Sequence, residues 1–289
     1  MKKLQIFFII LIVLGSIFFF WNNLLDIYYQ FSLNLPKIKD IGEFLPSEIE
    51  KRILTPFPLR IEEEEPDAYL SRSGVIYWTN IQREKYGLLP LKENIQLNAA
   101  TEIKAEDMFE NQYFAHTSLS GEGVADLTEK VEYEFIIIGE NLAFGNFKDD
   151  STLVQAWMES EGHRENILNP NYQEIGVAVK KGIFEGKIVW MAVQHFGLPL
   201  SACSQPDEVL KNEIEEKQNE VIQLQNALKN LEIEIKNIRP RRGTFYNQKV
   251  EEYNLLISEY NVLLGEIETL INSYNSQIKL FNACVGGVR

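Results

Sequence analysis

Residues Ala156–Pro170 read AWMESEGHRENILNP and set His163 among carboxylates and amides at the end of an apolar stretch. Two other stretches have the same mixed character: YFAHTS, Tyr113–Ser118, carries His116, and IIIGENLAFG, Ile136–Gly145, carries Glu140. The 289-residue chain has only 3 histidines, the third being His195, and all fall in one region. An imidazole and a carboxylate brought together can share a proton, orient a water or hold a metal. Two histidines and a glutamate also form a minimal zinc set with a fourth position for water, so His116 and His163 are the candidate metal ligands. His116, Glu140 and His163 are likewise the candidate catalytic residues. No HExxH or other closely spaced ligand pair is present, so spacing supports the metal weakly. The plainer alternative is a hydrogen-bonded cluster that stitches loops over a sheet.

Around these motifs the composition is that of a globular α/β domain. Apolar residues at helical spacing predict helices over Val75–Tyr86 and Leu97–Asn111, and a third from Asp150 or Ser151 to near Ser160. Lys104 falls on the apolar side of the second, where its stem is expected to lie on the core surface with its ammonium in water. Ile175–Val179 and Ile188–Gln194 are short and β-branched, predicting strands joined by a turn at Lys181–Gly186. Helices mixed with an antiparallel sheet over about 130 residues are enough for an independent core.

HTS at His116–Ser118, GENLA at Gly139–Ala143, AWMESEGHRENILNP and EIGVAV at Glu174–Val179 resemble, in order, the motifs of bacterial CAP domains. That superfamily includes the cysteine-rich secretory proteins, antigen 5 and pathogenesis-related protein 1. The stretch Asn80–Phe109 resembles the two helices that open the bacterial domain, and the likeness covers about Tyr69–Gly197. The resemblance implies an α-β-α sandwich with a cleft that holds two histidines and two glutamates in many eukaryotic members. His116 matches the first histidine and Glu140 the first glutamate. Ser160 takes the place of the second glutamate. The second histidine has no clear equivalent, with His195 the candidate nearby, and His163 belongs to the GHR common in bacterial forms. The family's roles include lipid or sterol binding, protein interaction and scattered cases of proteolysis.

The flanks place this domain outside the cytosol. Leu4–Trp21 is an almost unbroken apolar run that would span about 27 Å as a helix, close to the hydrocarbon thickness of a bilayer. Lys2 and Lys3 precede it and Asp26 follows, which sets the N-terminus in the cytoplasm as a single-pass anchor over residues 1–27. A cleaved signal is the alternative, though no small-x-small cleavage site follows the run. Residues 28–67, with five prolines, read as a connector containing a short helix at Ser47–Ile53. The CAP-like domain then occupies residues 68–200.

Residues 201–289 have a different pattern. Ile214, Val221, Leu228 and Ile235 form one heptad position and Leu210, Lys217, Leu224, Leu231 and Ile238 the other. Beyond Arg239–Gly243, Val250, Ile257, Leu264, Ile271 and Ile278 alternate with Tyr253, Tyr260, Ile267, Tyr274 and Phe281. This predicts an antiparallel coiled-coil hairpin, with spare apolar positions for self-association. Folding back would bring Cys203 and Cys284 together, and a disulfide there would close a loop of about 82 residues, stabilising the fold by about 4.5 kcal/mol in the chain-entropy account. Free thiols or an intermolecular bridge are the alternatives.

The net charge of -14 argues against nucleic acid as a partner. No Ser or Cys nucleophile stands beside an activating partner, and Ser118 and Ser160 read as structural. The leading expectation is a membrane-anchored extracytoplasmic module that binds an envelope polymer, a lipid or a protein. The alternative is a hydrolase of peptides or esters in which Glu140 positions water and His116 and His163 hold zinc or transfer protons.

Overall fold

The computed structural model describes residues 51–61, 65 and 67–287. The expected anchor lies outside them, and among the described residues no helix is long and apolar enough to cross a membrane. They form two compact units, one of residues 51–205 with 278–287 and the other of residues 206–277.

The first unit is built on β4 (Phe135–Phe144), β5 (Glu174–Phe184) and β6 (Lys187–Pro199), with β6 central and antiparallel to both neighbours. Short parallel strands extend the edges: β1 (Arg52–Leu54) and β2 (Leu59–Arg60) lie on β4, and β3 (Lys92–Glu93) lies on β5. Side chains alternate between faces along a strand. Ile138 and Leu142 of β4 therefore meet Leu97 and Met108 of α2 (Ile95–Glu110) and Val124 of α3 (Val124–Lys130). Ile137 and Ala143 meet Val75 of α1 (Arg72–Lys85), Trp157 of α4 (Asp150–Glu159) and Ile167 of α5 (Glu161–Ile167). Two helical layers thus cover both faces, so β4 is buried along nearly its whole length.

Local chemistry sets the element ends. Ser71, Asn94 and Asp149 cap α1, α2 and α4 by accepting from free backbone N–H groups of the first turn. Arg83, 1% exposed, donates from α1 to the carbonyls of Ile167 and Asn169 and so ties down the end of α5. Burial lowers its pKa to about 10, which leaves it charged at neutral pH. Gly176 of β5 lets α2 approach closely, since a Cβ there would lie 2.3 Å from the carbonyl carbon of Leu97.

Several expectations change. β5 and β6 run through Lys181–Phe184, and only Glu185 and Gly186, both at positive φ, form the turn. That two-residue turn matches the twist of the paired strands, so the ladder persists to its tip. Residues 52–54 and 59–60, read as connector, join the sheet, and Arg52 and Ile53 are in β1 rather than at the end of a helix. Lys104 does not reach solvent. It is 1% exposed, with Nζ 3.1 Å from the Tyr113 hydroxyl and 2.8 Å from the carbonyl of His116.

In the second unit, α6 (Glu208–Asn237) pairs with the part of α7 (Thr244–Gly287) that precedes residue 278. Contacts run in opposite directions along the two: Lys217 bonds Glu266 at 2.8 Å, Gln225 bonds Tyr260 at 2.9 Å, and Glu234 meets Lys249 at 3.3 Å. Ile214, Val221, Leu228 and Ile235 are buried, as are Tyr253, Tyr260, Ile267 and Tyr274. Lys217, the polar break in its seam, is held by Glu266.

The last turns of α7 belong to the first unit, where Phe281 is buried in its core and Cys284 is bonded to Cys203. The cysteine pair is therefore intramolecular, with a sequence separation of 81. A Cys203→Ala/Cys284→Ala protein should unfold about 2–4 kcal/mol more easily in a chemical-denaturation series, without dimer bands on non-reducing gels. Gly176→Ala should cost at least about 2 kcal/mol by the same measurement, because the obstruction is α2 backbone rather than a flexible side chain.

Candidate functional site

Glu140 sits in the middle of β4, 0% exposed, and the sheet register places His195 of β6 directly across from it. His195 Nε2 donates to Oε2 at 2.8 Å, and His116 Nδ1 donates to Oε1 at 2.6 Å. His116 reaches the carboxylate from the loop after α2. Its backbone is held there by Lys104, and Tyr113 and Phe114 are buried beside it. The other ring nitrogen of His116 donates to the carbonyl of Pro56. A carbonyl and a carboxylate both only accept, so each ring nitrogen of His116 faces an oxygen acceptor. Burial alone would raise the pKa of Glu140, but the hydrogen bonds and charges of His116 and His195 outweigh it and hold the group at about 2.

The next residues along each strand point to the opposite face and make a second polar system. Asn141 and Gln194 are also cross-strand partners, with Asn141 Nδ2 3.2 Å from Gln194 Oε1. Gln194 donates to Thr79 Oγ1 of α1 at 2.8 Å. Asn166 of α5 donates to Asn141 Oδ1 at 3.0 Å and accepts from the Tyr172 hydroxyl at 3.3 Å. These buried amides run unbroken from α1 through the sheet to α5. Every link satisfies a group that would otherwise be stranded in the core.

His163 belongs to this second system. Its carbonyl accepts from Asn141 Nδ2 at 3.3 Å, and its ring nitrogen Nδ1 is 2.8 Å from Ser160 Oγ. Burial, with a smaller contribution from the charge on His116, lowers its pKa to about 4. Of the three expected site residues, then, His116 and Glu140 are bonded to each other, whereas the second imidazole on the carboxylate is His195 and not His163.

The side chains present do not fit the zinc site expected of His116 and His163. Both nitrogens of His116 are committed to oxygen acceptors, and each oxygen of Glu140 is taken by a histidine. Among the described residues, Nδ1 of His195 is buried with no hydrogen-bond partner. Among the described residues, no three His, Cys, Asp or Glu side chains gather as a metal would require.

Sequence reasoning missed Asn141, Gln194, Asn166, Thr79 and Tyr172. The available signal was polar residues inside apolar strands: Asn141 in IIIGENLAF and Gln194 in IVWMAVQHF.

The two perturbed groups give stability a defined pH dependence. His163 is neutral when folded until pH approaches 4 but protonates near 6.5 when unfolded. The unfolded chain binds the extra proton between those values, so stability falls as pH drops through that window. Glu140 adds a second loss between its unfolded value of 4.5 and about 2. Denaturation midpoints measured from pH 8 to pH 3 should show the first decline in the parent and a shallower one in His163→Gln.

The chain matches the CAP family, described as the cysteine-rich secretory protein family, over residues 77–196. It is 39% identical over 116 residues to "Uncharacterized protein YkwD" of Bacillus subtilis, covering 40% of this chain and 43% of that protein. It is 35% identical over 111 residues to "Uncharacterized membrane protein YlbC" of the same organism, covering 38% of this chain and 32% of that one. The chain thus spans less than half the length of these curated relatives. A solved extracellular protein containing a SCP domain from Bacillus anthracis shares 28% identity at a TM-score of 0.38, covering 44% of this chain and 39% of that one. With the sandwich, the order of the motifs and the family match all falling on one segment, residues 77–196 constitute a CAP domain of the bacterial CAP/SCP superfamily.

Proposed function

We propose that the protein is an exported, membrane-anchored CAP module that works by binding at the cell envelope. The observation that carries this reading is the state of Glu140: enclosed, ionised and with each oxygen bonded to an imidazole. A general base needs an open acceptor and a pKa near the working pH. A carboxylate at about 2, with both oxygens occupied, braces the loops around it instead. Export is supported by the Cys203–Cys284 bond, since disulfides persist outside the reducing cytosol. The membrane tie is supported by the apolar run Leu4–Trp21 behind Lys2 and Lys3, and by the membrane-protein name of one Bacillus subtilis relative. The heptad seams of α6 and α7 suit a coiled-coil hairpin that extends the contact surface or pairs two copies.

The chain from about Leu33 onward should be retained on at least one envelope fraction at physiological salt: isolated wall polymer, lipid vesicles or membrane protein. Its turnover of peptide and ester substrates should equal that of Glu140→Gln and stay at background. Turnover well above background that is lost in a folded Glu140→Gln protein would replace the binding reading with a hydrolase. The same substitution should lower stability by about 2 kcal/mol, because the amide can accept from one imidazole with its oxygen but turns a donor toward the other.

A further inference from the structure

We infer that the cleft at His116 is a receptor for an extended, proline-containing peptide, and that residues 52–60 of this chain are its resident occupant. This deepens the binding reading above and rests on it. One edge of β4 is fully paired to β6, whereas among the described residues the other is paired by the three residues of β1 and the two of β2. Between them the chain passes Glu140–Leu142 without ladder pairing, and Pro56 and Pro58 have no N–H to offer.

What the segment brings to the cleft is carbonyl groups. The Pro56 carbonyl accepts from His116, and the Leu54 carbonyl accepts from Asn166 Nδ2 at 3.2 Å. Both polar systems of the domain therefore end in a donor that meets this one stretch of backbone. The proline ring has a seat as well, because a Cβ on Gly162 would lie 2.7 Å from Pro56 Cβ. Basic residues mark the two ends: Lys51 lies over the Phe135 ring at 5.0 Å, and Arg60 lies over Phe114 and Phe144 at 5.1 and 5.4 Å.

The occupant packs Leu54, Leu59 and Ile61 against the core, and its outer side faces solvent. Arg52, Ile53, Thr55 and Arg60 are exposed, and Phe57 projects with 94% of its surface free. A groove of about 440 Å³ runs beside the segment, lined by Ile53, Leu54, Pro56, Gly162, Asn166 and Asn169. Strand addition of this kind draws affinity from the main chain and selectivity from seats for particular side chains. The matching ligand is a strand parallel to β4 with a central proline and basic flanks, and it must compete with a tethered copy of itself.

The test uses the full chain in detergent micelles and a fluorescent peptide of the sequence of residues 51–61, KRILTPFPLRI. Pro56→Gly/Arg60→Ala removes the seated proline and one basic clamp without altering Gly162, His116, Glu140 or Asn166. Hydrogen exchange of residues 52–61 should accelerate at least about tenfold in this variant, with β5 and β6 unchanged. The variant should bind the peptide at least about tenfold more tightly than the parent, whose tethered segment competes at an effective concentration on the order of millimolar. Bound peptide should restore slow exchange at β4, and a peptide with glycine for its first proline should bind at least about tenfold more weakly. A loosened variant that ignores the peptide, or a parent that binds it equally well, overturns the inference. A segment that stays protected in the variant does so too, since its hold is then not the one described. Retention on envelope fractions is measured separately on the parent, so loss of that result and loss of this one are told apart.

Discussion

A carboxylate taken wholly out of water must be neutralised and hydrogen-bonded or the fold does not hold, and Glu140 meets that demand from three directions. Cross-strand register supplies His195, the loop after α2 supplies His116, and Lys104 fixes the backbone of that loop from below. Each is costly to bury alone. Together they offset one another, because two imidazoles hydrogen-bond the carboxylate and the carbonyl of Pro56 accepts from the other nitrogen of His116. The geometry of β4, β6, α2 and the segment around Pro56 is coupled through this one group.

The same two strands carry a second solution to the same problem one residue on. Asn141 and Gln194 turn to the other face and pass hydrogen bonds from Thr79 to Tyr172 without using a charge. A sheet covered on both faces would ordinarily be filled by apolar side chains. Here adjacent pairs in one ladder place an ionic cluster above and an amide chain below, back to back. That arrangement ties all the helices packed on β4 to a single register, since a slip of one residue would exchange the two faces. At the edge of β4 a donor from each system, His116 and Asn166, meets the segment from Arg52 to Arg60.

Much of the architecture was legible from pattern. Periodicity located α1, α2 and α4 to within a few residues, and the seam positions of α6 and α7 are largely those that are buried. The strand ends of β5 and β6 were less legible, because Lys181–Gly186 looks like a turn until the ladder is seen to continue through Phe184. Lys104 misled for a similar reason. A lysine on an apolar helix face normally lifts its ammonium into water, and only the fold reveals a hydroxyl and a carbonyl waiting for it. Prolines at 56 and 58 suggested a spacer, whereas they serve at a sheet edge that needs few N–H groups.

From residue order alone came the α/β class, the family motifs and the two cysteines brought together by a folded-back chain. These are local or periodic signals, readable because spacing along the chain dictates which side chains share a face. The partner for the second oxygen of Glu140 was settled only in three dimensions. His163 lies in the more distinctive motif, yet β4–β6 register sets His195 opposite the carboxylate, and pairing between strands 55 residues apart leaves no trace in local spacing.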